Sequence, residues 1–229
     1  MDKELEKLII EKPNDVVFLC GAGISLDAPT SLPTVNTFIF NILKECGISN
    51  VTIDKVYEVM GEANYRFESL IDEIRKSSDP TLLLTKLFNS SSFNKIHHFL
   101  SLMLKSGASI ITTNFDNCIE NACSYENYDF KNNRFVYNGE DLVDNTMPLS
   151  NVLVKIHGSH PIKEEAKGEL VITISALAKT EKAFKMFPNW RERFLNLLSK
   201  KIIIEYLQEE KIIKKITKKY KNLKLTNKH

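Results

Sequence analysis

Short apolar segments that end abruptly in glycine or polar residues most constrain how this chain can fold. The first covers residues 15–20 and runs directly into Gly21-Ala22-Gly23. Similar apolar runs predict further strands at residues 108–112, 152–156, 170–174 and 201–204. Helical patterns separate most of these runs, and strands that alternate with helices form parallel sheets with crossover helices. The sequence therefore predicts an α/β fold with a Rossmann-like parallel sheet.

Helical periodicity fills the long stretch between the first two predicted strands. Apolar residues recur with helical spacing at residues 38–43 and again at residues 67–74, and Pro80 marks a break. We expect a helical insert at about residues 48–90, then a helix from about residue 92 and a short helix over residues 114–122. One domain is predicted for residues 1–204, followed by a lysine-rich helix or tail at 205–229.

The charge distribution bears on the class of partner. The chain has a formal net charge of +2, yet residues 200–229 contain ten lysines and three acidic residues, a balance of +7. A basic tail can contact nucleic acid, but no loop motif accompanies these lysines, and Tyr206 and Tyr220 are the only aromatic residues among them, so a solvated helix is favoured. No stretch reaches the ~20 apolar residues of a membrane span. The charged amphipathic start is unlike a signal peptide, so we expect a cytoplasmic protein.

The four cysteines, Cys20, Cys46, Cys118 and Cys123, do not form a metal-binding pattern. Cys118 and Cys123 are five positions apart, which does not make half of a zinc site without a second pair. We expect free thiols, with Cys20 as a small buried apolar residue at the end of a strand, and no metal.

Three polar motifs are predicted at strand ends, where open α/β sheets bind their ligands. After the first strand, the glycines of Gly21-Ala22-Gly23-Ile24-Ser25 would let backbone approach a pyrophosphate. This motif is weak alone, because a Gly-Ala-Gly turn is common and Leu26 replaces the third glycine of the usual dinucleotide fingerprint.

The second motif is Thr112-Thr113-Asn114-Phe115-Asp116, in which four hydrogen-bonding side chains follow an apolar strand. One could cap a helix, but a cap does not account for all four, and their groups suit a ribose and a carboxamide. The third motif is Lys155-Ile156-His157-Gly158-Ser159. A lone histidine is more often structural, but this one leaves a buried strand, and imidazole is the usual general base near neutral pH.

The three motifs and the helical segment Asn94-Lys95-Ile96-His97 occur in an order that resembles the motif order of the sirtuin superfamily. The likeness spans roughly residues 15–204 and is closest to the NAD-consuming effectors of bacterial anti-phage defence. The resemblance implies that the chain is an NAD⁺ hydrolase, or NADase, which cleaves the nicotinamide–ribose bond and acts in abortive infection. It also implies NAD as the substrate, and a homo-oligomer or a complex with a defence-system partner.

The resemblance also assigns roles to particular residues. It implies NAD contacts from Gly21, Ala22, Gly23 and Ser25 and from Thr113, Asn114 and Asp116. Asn114, Asp116 and His157 would be catalytic, whereas His97 would support the fold beside the core.

Two departures from the sirtuin pattern keep other functions open. No four-cysteine zinc module follows His157, which lowers the expectation of a protein deacylase. After the last predicted strand, residues 205–210 replace the usual Gly-Tyr-Ser segment, so we expect a truncated or divergent end of the nucleotide fold. The alternatives are a non-catalytic sensor or regulator that binds NAD or ADP-ribose, or an NAD-dependent deacylase.

Overall fold

The computed structural model describes residues 3–62, 67–128, 134–136, 151–159 and 202–205. Within these residues, one sheet contains five short strands. They are β1 (Val16–Cys20), β2 (Ser109–Thr112), β3 (Arg134–Val136), β4 (Leu153–Lys155) and β5 (Ile202–Glu205). The strand order is β3-β4-β2-β1-β5, and all four neighbouring pairs are parallel. The prediction of an α/β fold with a parallel sheet is confirmed.

Six α-helices lie in the same described part of the chain. They are α1 (Lys3–Glu11), α2 (Val35–Glu45), α3 (Asn50–Glu62), α4 (Phe67–Ser77), α5 (Lys95–Lys105) and α6 (Cys118–Tyr125). Short 3₁₀ helices occupy Pro13–Asp15, Ala22–Ser25 and Leu83–Phe88. Helices α3 and α4 and the last 3₁₀ helix lie between β1 and β2, which is the helical insert that the sequence predicts.

The main core lies between the sheet and helices α1, α5 and α6. Phe18 of β1 packs edge-to-face on Phe99 of α5, with ring centroids 5.6 Å apart. Leu100, Met103 and Leu104 of α5 are fully buried in the same cluster. Burial of such side chains stabilises a fold by roughly 1.5–3 kcal/mol each, so this cluster fixes α5 against the sheet.

A second apolar cluster joins the helical insert to the loop after β2. Phe88 lies between Phe38 of α2 and Phe115, at centroid distances of 4.2 Å and 5.1 Å. Ile71 of α4 is fully buried beside them. Because Phe115 belongs to the second polar motif, this cluster holds that motif against the insert.

The structure corrects two sequence predictions and adds one strand. Helix α6 begins at Cys118 rather than at residue 114, so Asn114 and Asp116 lie in a loop. Helix α5 begins at Lys95, because the Asn94 side chain caps it by accepting hydrogen bonds from Ile96 N and His97 N. Strand β3 was not predicted, since three residues are too few to show a periodicity.

Other predictions are confirmed or lie outside the described residues. The predicted strands at 15–20, 108–112, 152–156 and 201–204 correspond to β1, β2, β4 and β5. The strand predicted at 170–174 and the lysine-rich segment after residue 205 lie outside the described residues. All four cysteines are described and are free thiols, as predicted. Among the described residues, no helix has the length and apolarity to cross a membrane.

Candidate functional site

The register of the sheet brings the three polar motifs to one edge. Cys20, the last residue of β1, pairs with Thr112, the last residue of β2. Thr112 in turn pairs with Lys155, the last residue of β4. Because the three strands are parallel and end level with one another, the segments that follow them leave the same edge of the sheet. This is where parallel α/β sheets place their ligand sites.

A cavity of about 230 Å³ opens at this edge. Several predicted site residues line it, namely Ala22, Ser25, Thr113, Asn114, Asp116 and His157. Helix α4 adds one carboxylate, that of Glu68, to the wall. The other walls are apolar and consist of Leu32, Pro33, Val35, Phe67, Phe88 and Phe115. A few polar groups that converge beside apolar walls are typical of a small-molecule site.

Ser25 is the centre of a buried hydrogen-bond network at this cavity. Its hydroxyl donates to Asp116 Oδ2 at 3.0 Å. The same oxygen lies 3.1 Å from His97 Nε2 and accepts from Asn114 Nδ2 at 3.2 Å. Ser25, Asn114 and Asp116 are at most 8% exposed, and His97 is fully buried. The network therefore links the 3₁₀ helix after β1, the loop after β2 and the start of α5.

The hydrogen bonds of His97 fix its tautomer. Its Nδ1 atom accepts from the backbone N–H of Asn94 at 3.2 Å, so in the neutral ring the proton is on Nε2. His97 Nε2 then donates to Ser25, which leaves the Ser25 proton for Asp116. Burial lowers the pKa of His97 to about 4, although the negative charges of Asp116 and Glu120 act to raise it. The ring is neutral at pH 7, which agrees with this pattern.

Asp116 uses its two carboxylate oxygens for different purposes. Oδ2 accepts from Ser25, whereas Oδ1 accepts from the backbone N–H of Cys118 at 3.0 Å, at the start of α6. Helix capping is thus one of its roles, and orientation of the Ser25 hydroxyl is another. The Asn114 amide is also oriented: Nδ2 points to Ser25, so Oδ1 is turned away from it.

Gly21 and Gly23 are exposed beside the cavity. The backbone of Gly21, with φ −128° and ψ −169°, is extended and open to any residue. A Cβ atom at Gly21 would lie 3.6 Å from Thr113 Oγ1, an ordinary contact, and one at Gly23 would meet nothing within 4 Å. Contacts within the described part of the protein therefore do not require glycine at these two positions.

His157 lies half-buried at the cavity wall, two residues after β4. Gly158 follows it with φ +80°, a conformation that side chains disfavour, and its N–H donates to Lys155 O at 3.2 Å. Ile156 N donates to Thr112 O at 3.0 Å, which extends the pairing with β2. His157, next to this tight turn, lines the same cavity as the loop after β2.

Residues 108–221 match the family model of the SIR2-like domain. The chain carries a SIR2-like domain. No curated protein matches it. The matched segment includes the Thr112–Asp116 motif and His157 and begins after Ser25 and His97. SIR2-like domains use NAD, so the match indicates an NAD-related function. The matched segment supplies part of the cavity wall, namely Thr113, Asn114, Phe115, Asp116 and His157.

One group of three side chains in the described part of the chain has the residue types of a metal site. Ligand atoms of His97, Asp116 and Cys118 lie within 4.8 Å of one another. However, both ring nitrogens of His97 and both carboxylate oxygens of Asp116 already have protein partners. Burial, with Asp116 close by, raises the pKa of the Cys118 thiol far above its ordinary value, and a metal ligand must be a thiolate. The hydrogen-bond network accounts for these three residues.

Sequence reasoning missed part of this site. His97 supports the fold, as expected, since it completes the capping box of α5, but it also contacts Ser25. The capping pattern of Asn94 and His97 is visible in the sequence, whereas the contact with Ser25 depends on how α5 docks. Glu68 and the aromatic walls from the helical insert were also missed. Their helical pattern indicated burial and gave no sign that they face a cavity.

Proposed function

We infer that this chain is an NAD⁺ glycohydrolase, which cleaves the bond between nicotinamide and ribose to release nicotinamide and ADP-ribose. One observation carries the proposal. Ser25, Asn114, Asp116 and His157 converge on one cavity at the carboxyl edge of the sheet, in a chain that carries a SIR2-like domain. The cavity, at about 230 Å³, is smaller than the roughly 300–1,000 Å³ of pockets for drug-sized ligands. It therefore suits one end of the dinucleotide, the end that carries the scissile bond.

The exposed glycine turn suits the other end of the substrate. Gly21 and Gly23 are exposed, and a Cβ atom at either position would not clash with the described residues. Bare backbone next to a cavity lets amide groups approach a pyrophosphate closely. In this proposal, Gly21, Ala22 and Gly23 contact the pyrophosphate, and Thr113 the adjoining ribose.

The proposed roles of the polar residues follow from their bonding. Bond cleavage builds positive charge on the ribose, and a positioned water must then attack it. Asn114, held through Nδ2 by Ser25, turns Oδ1 away from Ser25 as an acceptor for a ribose hydroxyl or water. His157 accepts a proton from that hydroxyl or water. The Asp116 carboxylate, fixed by Ser25 and Cys118 N, stabilises the developing positive charge.

The cellular role is proposed from the resemblance to defence effectors. Removal of NAD would stop the metabolism of an infected cell, which is the purpose of abortive infection. We therefore propose a cytoplasmic effector of anti-phage defence whose activity is controlled by self-assembly or by a partner subunit of the defence system.

The test is nicotinamide release from NAD by the purified chain over a range of protein concentrations. His157→Ala and Asn114→Ala should each lower turnover by at least about 100-fold, as loss of a general base or a positioning group does. His98→Gln is the matched control, because His98 is bonded to Glu126 at 2.5 Å and does not line the cavity. This variant should retain full turnover.

Other outcomes point to the other functions. Binding of NAD or ADP-ribose without turnover at any concentration would overturn the hydrolase proposal in favour of a sensor. Faster nicotinamide release with an acetyl-lysine peptide would favour a deacylase. Full turnover by His157→Ala would refute the role assigned to that residue.

A further inference from the structure

Lys155, the last residue of β4, is a buried cation with three protein acceptors. Its side chain is 1% exposed. Its ammonium group donates to Glu120 Oε1 at 2.8 Å, to Ser159 Oγ at 3.0 Å and to the backbone oxygen of Asp116. An ammonium group has three N–H donors, so these acceptors use all of them.

Two of the three acceptors belong to the two segments that form the polar wall of the cavity, and the third lies in α6, which follows one of these segments. Asp116 is in the loop after β2, and Glu120 is in the first turn of α6. Ser159 is in the turn after β4, two residues beyond His157. The Ser159 hydroxyl also donates to Asn117 Oδ1 at 3.0 Å, which adds a second link between the two segments. We call the bonds of Lys155 and Ser159 to these groups the Lys155 clamp.

Stability alone does not explain a buried ion pair at this position. Desolvation of Lys155 and Glu120 offsets most of their attraction, and well-packed apolar residues often stabilise a fold equally well. The neighbours of Lys155 along β4 are Leu153 and Val154, both fully buried, so an apolar residue would suit the strand. What an apolar residue cannot supply is directional bonding to two loops at once.

We propose that Lys155 is a positioning residue that sets the distance between His157 and the Asn114–Asp116 loop. This inference rests on the proposed NAD⁺ hydrolase function, in which His157 and Asn114 act on the same ribose. Lys155 is not among the residues that line the cavity, so it acts through the two loops. A displacement of about 1 Å between groups that act together can cost about 100-fold in rate.

The test replaces both charges of the clamp. Lys155→Met combined with Glu120→Leu leaves neither charge unpaired, so the fold should be retained. We expect kcat for nicotinamide release to fall by about 10-fold to 100-fold, with a smaller change in KM for NAD. Wild-type kcat in the folded double variant would refute the proposal, because the pair would then serve only to neutralise charge.

A milder variant covers the case in which the double variant does not fold. Ser159→Ala removes the link to the turn after His157 and leaves the Lys155–Glu120 pair in place. It should lower kcat by several-fold or more. The matched control is Ser101→Ala, another buried serine, whose hydroxyl donates to His98 O within α5. Equal activity of Ser159→Ala and Ser101→Ala would overturn the proposal.

Amide hydrogen exchange tests the clamp independently of turnover. In Ser159→Ala, exchange should accelerate at residues 114–117 and 156–159 and stay unchanged in β1 and α5. Unchanged exchange in both loops would refute the clamp even if NAD cleavage were confirmed. Faster exchange in a chain whose wild type releases no nicotinamide would support the clamp and refute the proposed reaction.

Discussion

Replacement of His97 by a residue that does not titrate should remove a specific part of the acid sensitivity of this protein. His97 is fully buried, and burial lowers its pKa from 6.5 to about 4. At a pH between about 4 and 6.5, the unfolded chain therefore binds a proton on this histidine and the folded chain does not. Stability contributed by the neutral ring is therefore complete above pH 6.5 and is lost as the pH falls towards 4.

The size of the effect follows from the two pKa values. The pKa of His97 is 6.5 in the unfolded chain and about 4 in the folded chain. By linkage, this difference lowers the free energy of unfolding by about 2 kcal/mol between pH 7 and pH 5. His97→Gln removes the titration but keeps a residue that is favoured at the third position of a capping box. The variant should therefore lack this loss.

The assay is urea unfolding, followed by circular dichroism, of both proteins at pH 5, 6 and 7 and at constant ionic strength. Other titrating groups are common to both proteins, so the difference between their pH profiles isolates His97. We expect the wild type to lose about 2 kcal/mol more than His97→Gln between pH 7 and pH 5. Equal losses would show that His97 is protonated at no cost in the folded state, and the argument that burial lowers its pKa would then be wrong.

Two further predictions concern the first motif. Gly21→Ala and Gly23→Ala should leave the free energy of unfolding unchanged or raise it by up to about 1 kcal/mol, because neither Cβ atom would clash within the described protein. Each should raise KM for NAD by about tenfold if the backbone meets the pyrophosphate, and unchanged kinetics would refute that contact. Ser25→Ala leaves His97, Asn114 and Asp116 without their shared partner. It should lower the free energy of unfolding by about 3 kcal/mol in urea titrations and reduce nicotinamide release at least tenfold, whereas wild-type values of both would contradict the network.

The sequence predicts the elements of the fold well because their signals are local. Apolar runs that end in glycine or polar residues locate β1, β2 and β4, and helical spacing locates α2 and α4. The polar strand ends are also visible, and parallel pairing then brings Ser25, Asn114 and His157 together. This step needs only the direction of the strands, which the crossover helices imply.

The hydrogen-bond partners could not be predicted, because they depend on how distant elements dock. His97 is 72 positions from Ser25, and Lys155 is 35 positions from Glu120. The sequence does contain one signal of a buried polar contact. Lys155 interrupts an apolar run, and a lysine in a buried strand needs acceptors. The identity of those acceptors still required the structure.

The network around Ser25 also bears on which part of the chain forms the site. The match to the SIR2-like domain begins at residue 108, within the connection from α5 to β2. Yet Asp116 Oδ2 and Asn114 Nδ2 both bond to Ser25, and Ser25 in turn contacts His97. Without β1 and α5, two residues of the matched motif would lose the partner that orients them. The candidate site therefore extends back to β1, and variants of Ser25 or His97 should lower nicotinamide release if the proposed reaction takes place there.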